Sequence, residues 1–155
     1  MTGALTLRPG LPGDLAAIME LERAGFAAAE QWSERSWSDE LAAGHRLILL
    51  ATAGAEVLGV ATFQHIAGVA DLNRIIVAPA ARGAGIGRTL VEAGAGTLAA
   101  TGNDQLLLEV ERHNTAARAL YAATGFVPIA TRSDYYGPGR DAIIMRRDLG
   151  EENHE

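Results

Sequence analysis

The chain has 155 residues, 48% of them hydrophobic, no cysteine and a formal charge of −6. That length suits one domain with a core of its own, read here as residues 1–149. The missing cysteines exclude a disulfide framework, a thiolate metal site and a cysteine nucleophile, and they fit a reducing, cytoplasmic setting. The acidic balance is a poor match to nucleic acid. No apolar stretch reaches the roughly 18 residues of a membrane span, and the N-terminus carries no basic-then-apolar leader.

In chain order, Ala4 to Arg8 alternates as a first strand closed by Pro9-Gly10. Asp14 is placed to cap a helix carrying Leu15, Ile18, Met19, Leu21 and Glu22, with Phe26 near its end. Ser36 and Asp39 resemble a capping box, which predicts a short second helix reaching about Ala43. Three strands follow over 46–52, 56–64 and 69–78, the first two joined by Ala53-Gly54-Ala55. A helix is expected behind the glycines at 83, 85 and 87, ending near Ala100; Gly94 and Gly96 interrupt it at about 1 kcal/mol each relative to alanine. Then come a strand (105–111), a helix (115–124) closed by Gly125, and strands over 126–132 and 141–147. The order β-α-α-β-β-β-α-β-α-β-β mixes hairpin and helix connections. It predicts an α/β fold with a mixed sheet and helices on both faces. Gly150 to Glu155 reads as a frayed acidic tail.

The segment Arg82-Gly-Ala-Gly-Ile-Gly-Arg88 is suited to phosphate. Glycines let backbone N–H groups converge, the following helix adds its positive end, and the arginines can pair with phosphate oxygens. It is not a Walker A loop, because the position five before Gly87 is Arg82 and Arg88 stands where lysine should. The dinucleotide fingerprint also fails in both frames, ending on Arg88 or Leu90. Taken alone, a phosphate cradle and a glycine-rich turn both account for it.

With its frame, a strand ending Ile75-Ile76-Val77, then Arg82-x-x-Gly85-x-Gly87 and a helix, the segment resembles the acetyl-CoA site of the GNAT (Gcn5-related) N-acetyltransferases. The element order of nearly the whole chain is similar too. The resemblance implies a GNAT fold whose two central strands splay apart. It implies that the backbone of Ile75, Ile76 and Val77 pairs with the pantetheine arm. The amides of Gly83, Ala84, Gly85, Ile86, Gly87 and Arg88, with Arg82, then hold the pyrophosphate.

Acetyl transfer to an amine needs a neutral amine, a stabilised oxyanion and a protonated leaving thiolate. Glu109 follows three leucines, where burial raises a carboxylate's pKa and improves it as a base. Tyr121 lies on the next helix. From the residues alone, an ion pair at Glu109 and a core role for Tyr121 explain them equally well. The RimI-like subgroup of the family shares Leu108-Glu109-Val110, Asn114 and Leu120-Tyr121 in this spacing. That resemblance makes Glu109 the base, Tyr121 the acid, Asn114 a coenzyme contact and the Val77 N–H an oxyanion donor. Glu111, of the same strand parity, and His113 are rival bases.

The same subgroup carries segments similar to Trp32-Ser33-Glu34 and Tyr135-Tyr136, which wall a groove for a peptide N-terminus. The resemblance therefore implies an N-terminal protein acceptor, by the subgroup's habit an alanine-starting small-subunit ribosomal protein. Trp32 then lines the first-residue pocket, and Tyr135 and Tyr136 bind peptide backbone. Trp37 reads as a core staple. At pH 7 an α-amine is about 10–20% neutral against about 0.04% for lysine, the easier task for one glutamate. The loop Gly137-Pro138-Gly139 departs from the acidic version of some relatives. A GNAT acting on a small amine and a non-catalytic acyl-CoA-binding module are the alternatives. The histidines are isolated and no metal is expected. The sequence says nothing of oligomeric state.

Overall fold

The computed structural model describes residues 4–150. The elements are β1 (Leu5–Pro9), α1 (Leu15–Gly25), α2 (Glu34–Ala42), β2 (Arg46–Ala53), β3 (Glu56–Ile66), β4 (Val69–Val77), α3 (Ile86–Ala100), β5 (Gln105–Glu111), α4 (Thr115–Ala123), β6 (Val127–Arg132) and β7 (Ala142–Asp148). The order is the expected one. The acidic tail beyond Gly150 lies outside the described residues. No helix among the described residues is long and apolar enough to cross a membrane.

The strands form a seven-stranded mixed sheet in the order β1-β2-β3-β4-β5-β7-β6. β4 and β5 run parallel and pair only from Val69–Gln105 to Asp71–Leu107, although β4 continues to Val77 and β5 to Glu111. The expected splay is thus an end to pairing after Asp71. β7 lies between β5 and β6 and pairs antiparallel with both. β6 is exposed along its length, and its register shifts between Pro128 and Ala130, where proline offers no N–H.

The packing gathers into two compact units. The first comprises the chain up to Gln64 together with Asn73–Gly94. Its core is Ile18, Met19, Leu21, Trp37, Ile48, Leu50, Val60 and Ile76. β3 is covered on both faces, since neighbouring strand residues point oppositely. Thr62 donates to Glu40 of α2 at 2.6 Å, whereas Phe63 lies under Gly94 of α3. The second unit comprises His65–Leu72 and the chain from Ala95 onward. There Leu106, Leu108 and Val110 of β5 are buried together with Tyr121, Phe126, Ile143 and Met145.

The glycines of α3 differ in kind. A Cβ on Gly94 would stand 2.3 Å from Phe63 Cζ, whereas exposed Gly96 has nothing within 4 Å. Gly94→Ala is expected to destabilise by about 1–3 kcal/mol through overpacking. Gly96→Ala is expected to stabilise by up to about 1 kcal/mol. Urea midpoints moving in opposite directions would show this.

Two helix starts differ from the expectation. Ser33, not Ser36, caps α2, its Oγ accepting from Ser36 N–H at 3.0 Å, so the helix begins earlier. Asp14 stands at the N-cap of α1 but spends its carboxylate on Arg8 (2.8 and 2.9 Å) and on Leu11 N–H (2.8 Å). The hydrogen bonds from Arg8 hold its pKa below the usual range, against burial. A depressed folded-state pKa gives stability that is complete above the unfolded value, about 3.9, and lost as pH falls through the folded one. Wild type and Asp14→Asn are expected to differ in denaturant midpoint at about pH 6 and to converge as pH falls through the lowered folded-state value.

Candidate active site

In the first unit, the loop before α3 takes its shape from two residues with positive φ, Gly83 (88°) and Gly85 (82°). Nothing lies within 4 Å of a Cβ at either, so it is the backbone conformation that calls for glycine there. None of the loop's backbone hydrogen bonds uses the N–H of Gly83, Ala84 or Gly85. The first bond of α3 is Thr89 N–H to Gly85 C=O at 3.0 Å, which leaves Ile86, Gly87 and Arg88 in the open first turn. Ile86 is buried and offers only its backbone, whereas Arg82 and Arg88 are exposed. Arg82 Nε donates to Val77 C=O at 3.3 Å.

The end of β4 presents its own backbone. The Ile76 carbonyl faces β3, 3.1 Å from a Cβ built on Gly59, and Ala78 N–H donates to Leu58 C=O at 2.8 Å. By strand alternation, the polar groups of Ile75 and Val77 point away from β3. The β4–β5 ladder ends at Asp71, so among the described residues no strand pairing reaches them.

In the second unit, β5 buries Leu106, Leu108 and Val110, and Glu109 has the opposite parity. Glu109 is therefore exposed, which corrects the expectation that burial tunes it. Its Oε2 accepts from Arg132 Nη1 at 2.7 Å. Glu111 is more occupied. It accepts from His113 N–H and from Arg140 Nε (3.3 Å). The His113 N–H bond, above all, holds its pKa below the usual range. A carboxylate so held is a poor base. His113 is exposed.

Tyr121 is buried near the end of α4. The helix closes in a Schellman turn, with Phe126 N–H on Tyr121 C=O (3.0 Å), Gly125 N–H on Ala122 C=O (3.2 Å) and Gly125 at φ 92°. The turn sets the Phe126 ring edge-on to Tyr121 at 5.8 Å. Asn114 caps the other end, its Oδ1 accepting from Ala117 N–H at 3.1 Å.

Tyr135 and Tyr136 stand exposed, with rings 5.0 Å apart at 87°. Their loop is braced through its backbone and two aspartates. Asp134, at φ 55°, donates its N–H to Asp141 (2.9 Å) and accepts from Gly139 N–H (2.7 Å), and Tyr136 N–H donates to Arg140 C=O (3.0 Å). The Arg132 guanidinium lies 4.8 Å from the Tyr135 ring centre.

Trp32, in the first unit, is half-buried, 5.0 Å from the ring of Trp37. Trp37 is fully buried, the staple expected of it. Both tryptophans rest on a residue with no site role in the sequence reading. Glu22, 0% exposed, accepts from Trp37 Nε1 (2.8 Å), Trp32 N–H (2.9 Å) and Arg74. Arg74 lies over the rings of Phe26 (3.7 Å) and Trp32 (5.2 Å) and donates to Glu30 C=O (2.9 Å). The available signal was a carboxylate on the apolar face of α1 and an arginine inside an apolar strand.

Residues 15–126 match the model of the acetyltransferase (GNAT) family. The chain is 33% identical over 154 residues to the N-alpha-acetyltransferase RimI of Mycobacterium tuberculosis, covering 96% of this chain and 92% of that protein. It is 35% identical over 136 residues to the [ribosomal protein bS18]-alanine N-acetyltransferase of Salmonella typhimurium, covering 85% and 89%. Its fold is similar to the crystal structure of the ribosomal-protein-S18-alanine N-acetyltransferase from Escherichia coli, with TM-score 0.86, 30% identity and 94% of each chain covered.

Proposed function

The chain belongs to the acetyltransferase (GNAT) family and is an acetyl-CoA-dependent N-acetyltransferase, and from this premise we propose that it acetylates the α-amine of a protein N-terminus, by preference an alanine on a small-subunit ribosomal protein in the cytoplasm. The observation that carries this reading is the exposed Tyr135–Tyr136 pair on a loop braced by Asp134 and Asp141. Two outward phenols on a fixed loop suit an extended peptide backbone. The relatives named for ribosomal-protein alanine acetylation support the same acceptor.

The co-substrate supplies an activated acetyl thioester. The unused amides of Gly83, Ala84 and Gly85, the open first turn of α3, and Arg82 and Arg88 fit a pyrophosphate. The backbone groups of Ile75 and the Val77 N–H, which no strand pairing reaches, fit the amides of a pantetheine arm, and Asn114 adds a side-chain contact. Glu109 takes a proton from the incoming amine, through water. The Val77 N–H donates to the developing oxyanion. Tyr121 gives its proton to the departing thiolate. Trp32 walls the pocket of the first residue, and Tyr135 and Tyr136 hold the peptide backbone.

The test offers acetyl-CoA with peptides varied at the first residue, lysine peptides with blocked N-termini, and small amines, and follows free thiol. Turnover on free N-termini, highest with alanine, is expected. Turnover on small amines alone overturns the peptide reading, and coenzyme binding without turnover on any acceptor overturns the catalytic one.

A further inference from the structure

The carboxylate assigned as base is not idle. Glu109 is held by Arg132 at 2.7 Å, and the same guanidinium lies 4.8 Å from the ring centre of Tyr135. Arg132 closes β6 three residues before Tyr135, so one side chain bridges the base and the acceptor loop. The neighbouring acids are engaged elsewhere, Glu111 with His113 N–H and Arg140, and Asp141 with Asp134 N–H and Arg112.

We infer that Arg132 is a positioning residue, a latch that keeps Glu109 out of use until an acceptor engages Tyr135. This rests on the roles proposed above for Glu109 and Tyr135. The pair is exposed, 54% at Arg132 and 32% at Glu109, so it is screened by salt and readily exchanged. A released guanidinium keeps a partner, because the face of Tyr135 attracts a cation. The incoming α-ammonium is itself a cation. It takes the place of Arg132 as the cation facing the carboxylate and then passes its proton to Glu109 through water. The choice of acceptor and the freeing of the base are thereby one event.

The latch protects the thioester. With Glu109 unlatched and no amine present, water is the available nucleophile. Its oxygen bonds to the acetyl carbon and the carbon–sulfur bond breaks. One water proton passes to Glu109 and on to solvent, the thiolate takes its proton from Tyr121, and the second water proton, left on the acetic acid, restores the phenol. The products are acetate and free coenzyme thiol.

The test measures thiol release by the full chain with acetyl-CoA and no acceptor. Arg132→Met, which keeps length and contact with Tyr135 but loses the charge, is expected to raise the rate about two- to fivefold, what an exposed ion pair can withhold. Arg132→Lys, still able to pair, should stay near wild type. In Glu109→Gln/Arg132→Met the rise should vanish. Raised ionic strength should speed release in wild type and leave Arg132→Met unchanged. Arg132→Met hydrolysing at the wild-type rate, or a rise that persists in the double variant, overturns the latch. Undiminished peptide acetylation by Glu109→Gln alone removes Glu109 as base, a separate failure belonging to the functional reading.

Discussion

Tyr121→Phe is expected to lower kcat by about 10²–10⁴-fold, the range of a positioned general acid, and to leave the KM for acetyl-CoA unchanged. The substitution is conservative for packing. The ring is buried and meets Phe126 edge-on at 5.8 Å, and phenylalanine keeps that contact and the Schellman turn beneath it. Loss of one hydroxyl hydrogen bond costs about 0.5–1.5 kcal/mol, a few degrees in Tm, so the variant remains folded where activity is measured. The donor distinguishes an acid from a mere neighbour. An aryl thioester releases a far more acidic thiol, which needs no proton in the transition state. With such a donor the deficit of Tyr121→Phe should shrink at least about tenfold. A deficit equal for both donors would assign Tyr121 to substrate positioning. Wild-type kcat with acetyl-CoA would remove it from the chemistry altogether.

The fold was legible because its signals are local. β5 runs Gln105–Glu111, the bounds expected of it, and Gly125 closes α4 by the conformation that glycine alone adopts freely. The failures came where a side chain had several partners to choose from. Asp14 occupies a capping position yet bonds Arg8, because two bonds from a charged guanidinium outweigh one from a neutral backbone N–H. Glu109 follows three leucines, but parity places it with the exposed residues of β5, and its partner Arg132 is 23 residues away. Tyr135 and Tyr136 could be found by resemblance, whereas the loop that displays them depends on Asp134 and Asp141, which no periodicity marks. The deepest omission was Glu22. Helical spacing put it on the core face beside Ile18 and Leu21, but the residue that makes this tolerable, Arg74, lies 52 residues on.

Glu22→Ala is expected to be among the most damaging single changes, costing about 3–5 kcal/mol. The carboxylate is 0% exposed and accepts from Trp37 Nε1, Trp32 N–H and Arg74. Its removal strands a largely buried guanidinium and leaves two N–H donors without acceptors. For a chain of this size the loss is about 10 °C or more in Tm, readable by calorimetry or urea denaturation. Burying two charges has its own desolvation cost, so removing both partners is far milder than removing one. Glu22→Leu/Arg74→Met should recover the part of the loss due to the stranded guanidinium, and leave about 1–3 kcal/mol for the orphaned Trp37 indole N–H and less for the part-buried Trp32 N–H. The double variant then isolates the network's second task. Glu22 holds the backbone at Trp32 and Arg74 holds it at Glu30, so the pair fixes the segment that carries Trp32. Stability regained with a raised KM for the peptide and an unchanged KM for acetyl-CoA is the expected outcome. A single Glu22→Ala variant that loses less than about 1 kcal/mol would show that water or a moved side chain replaces the carboxylate. A double variant with wild-type peptide KM would confine the network to the core.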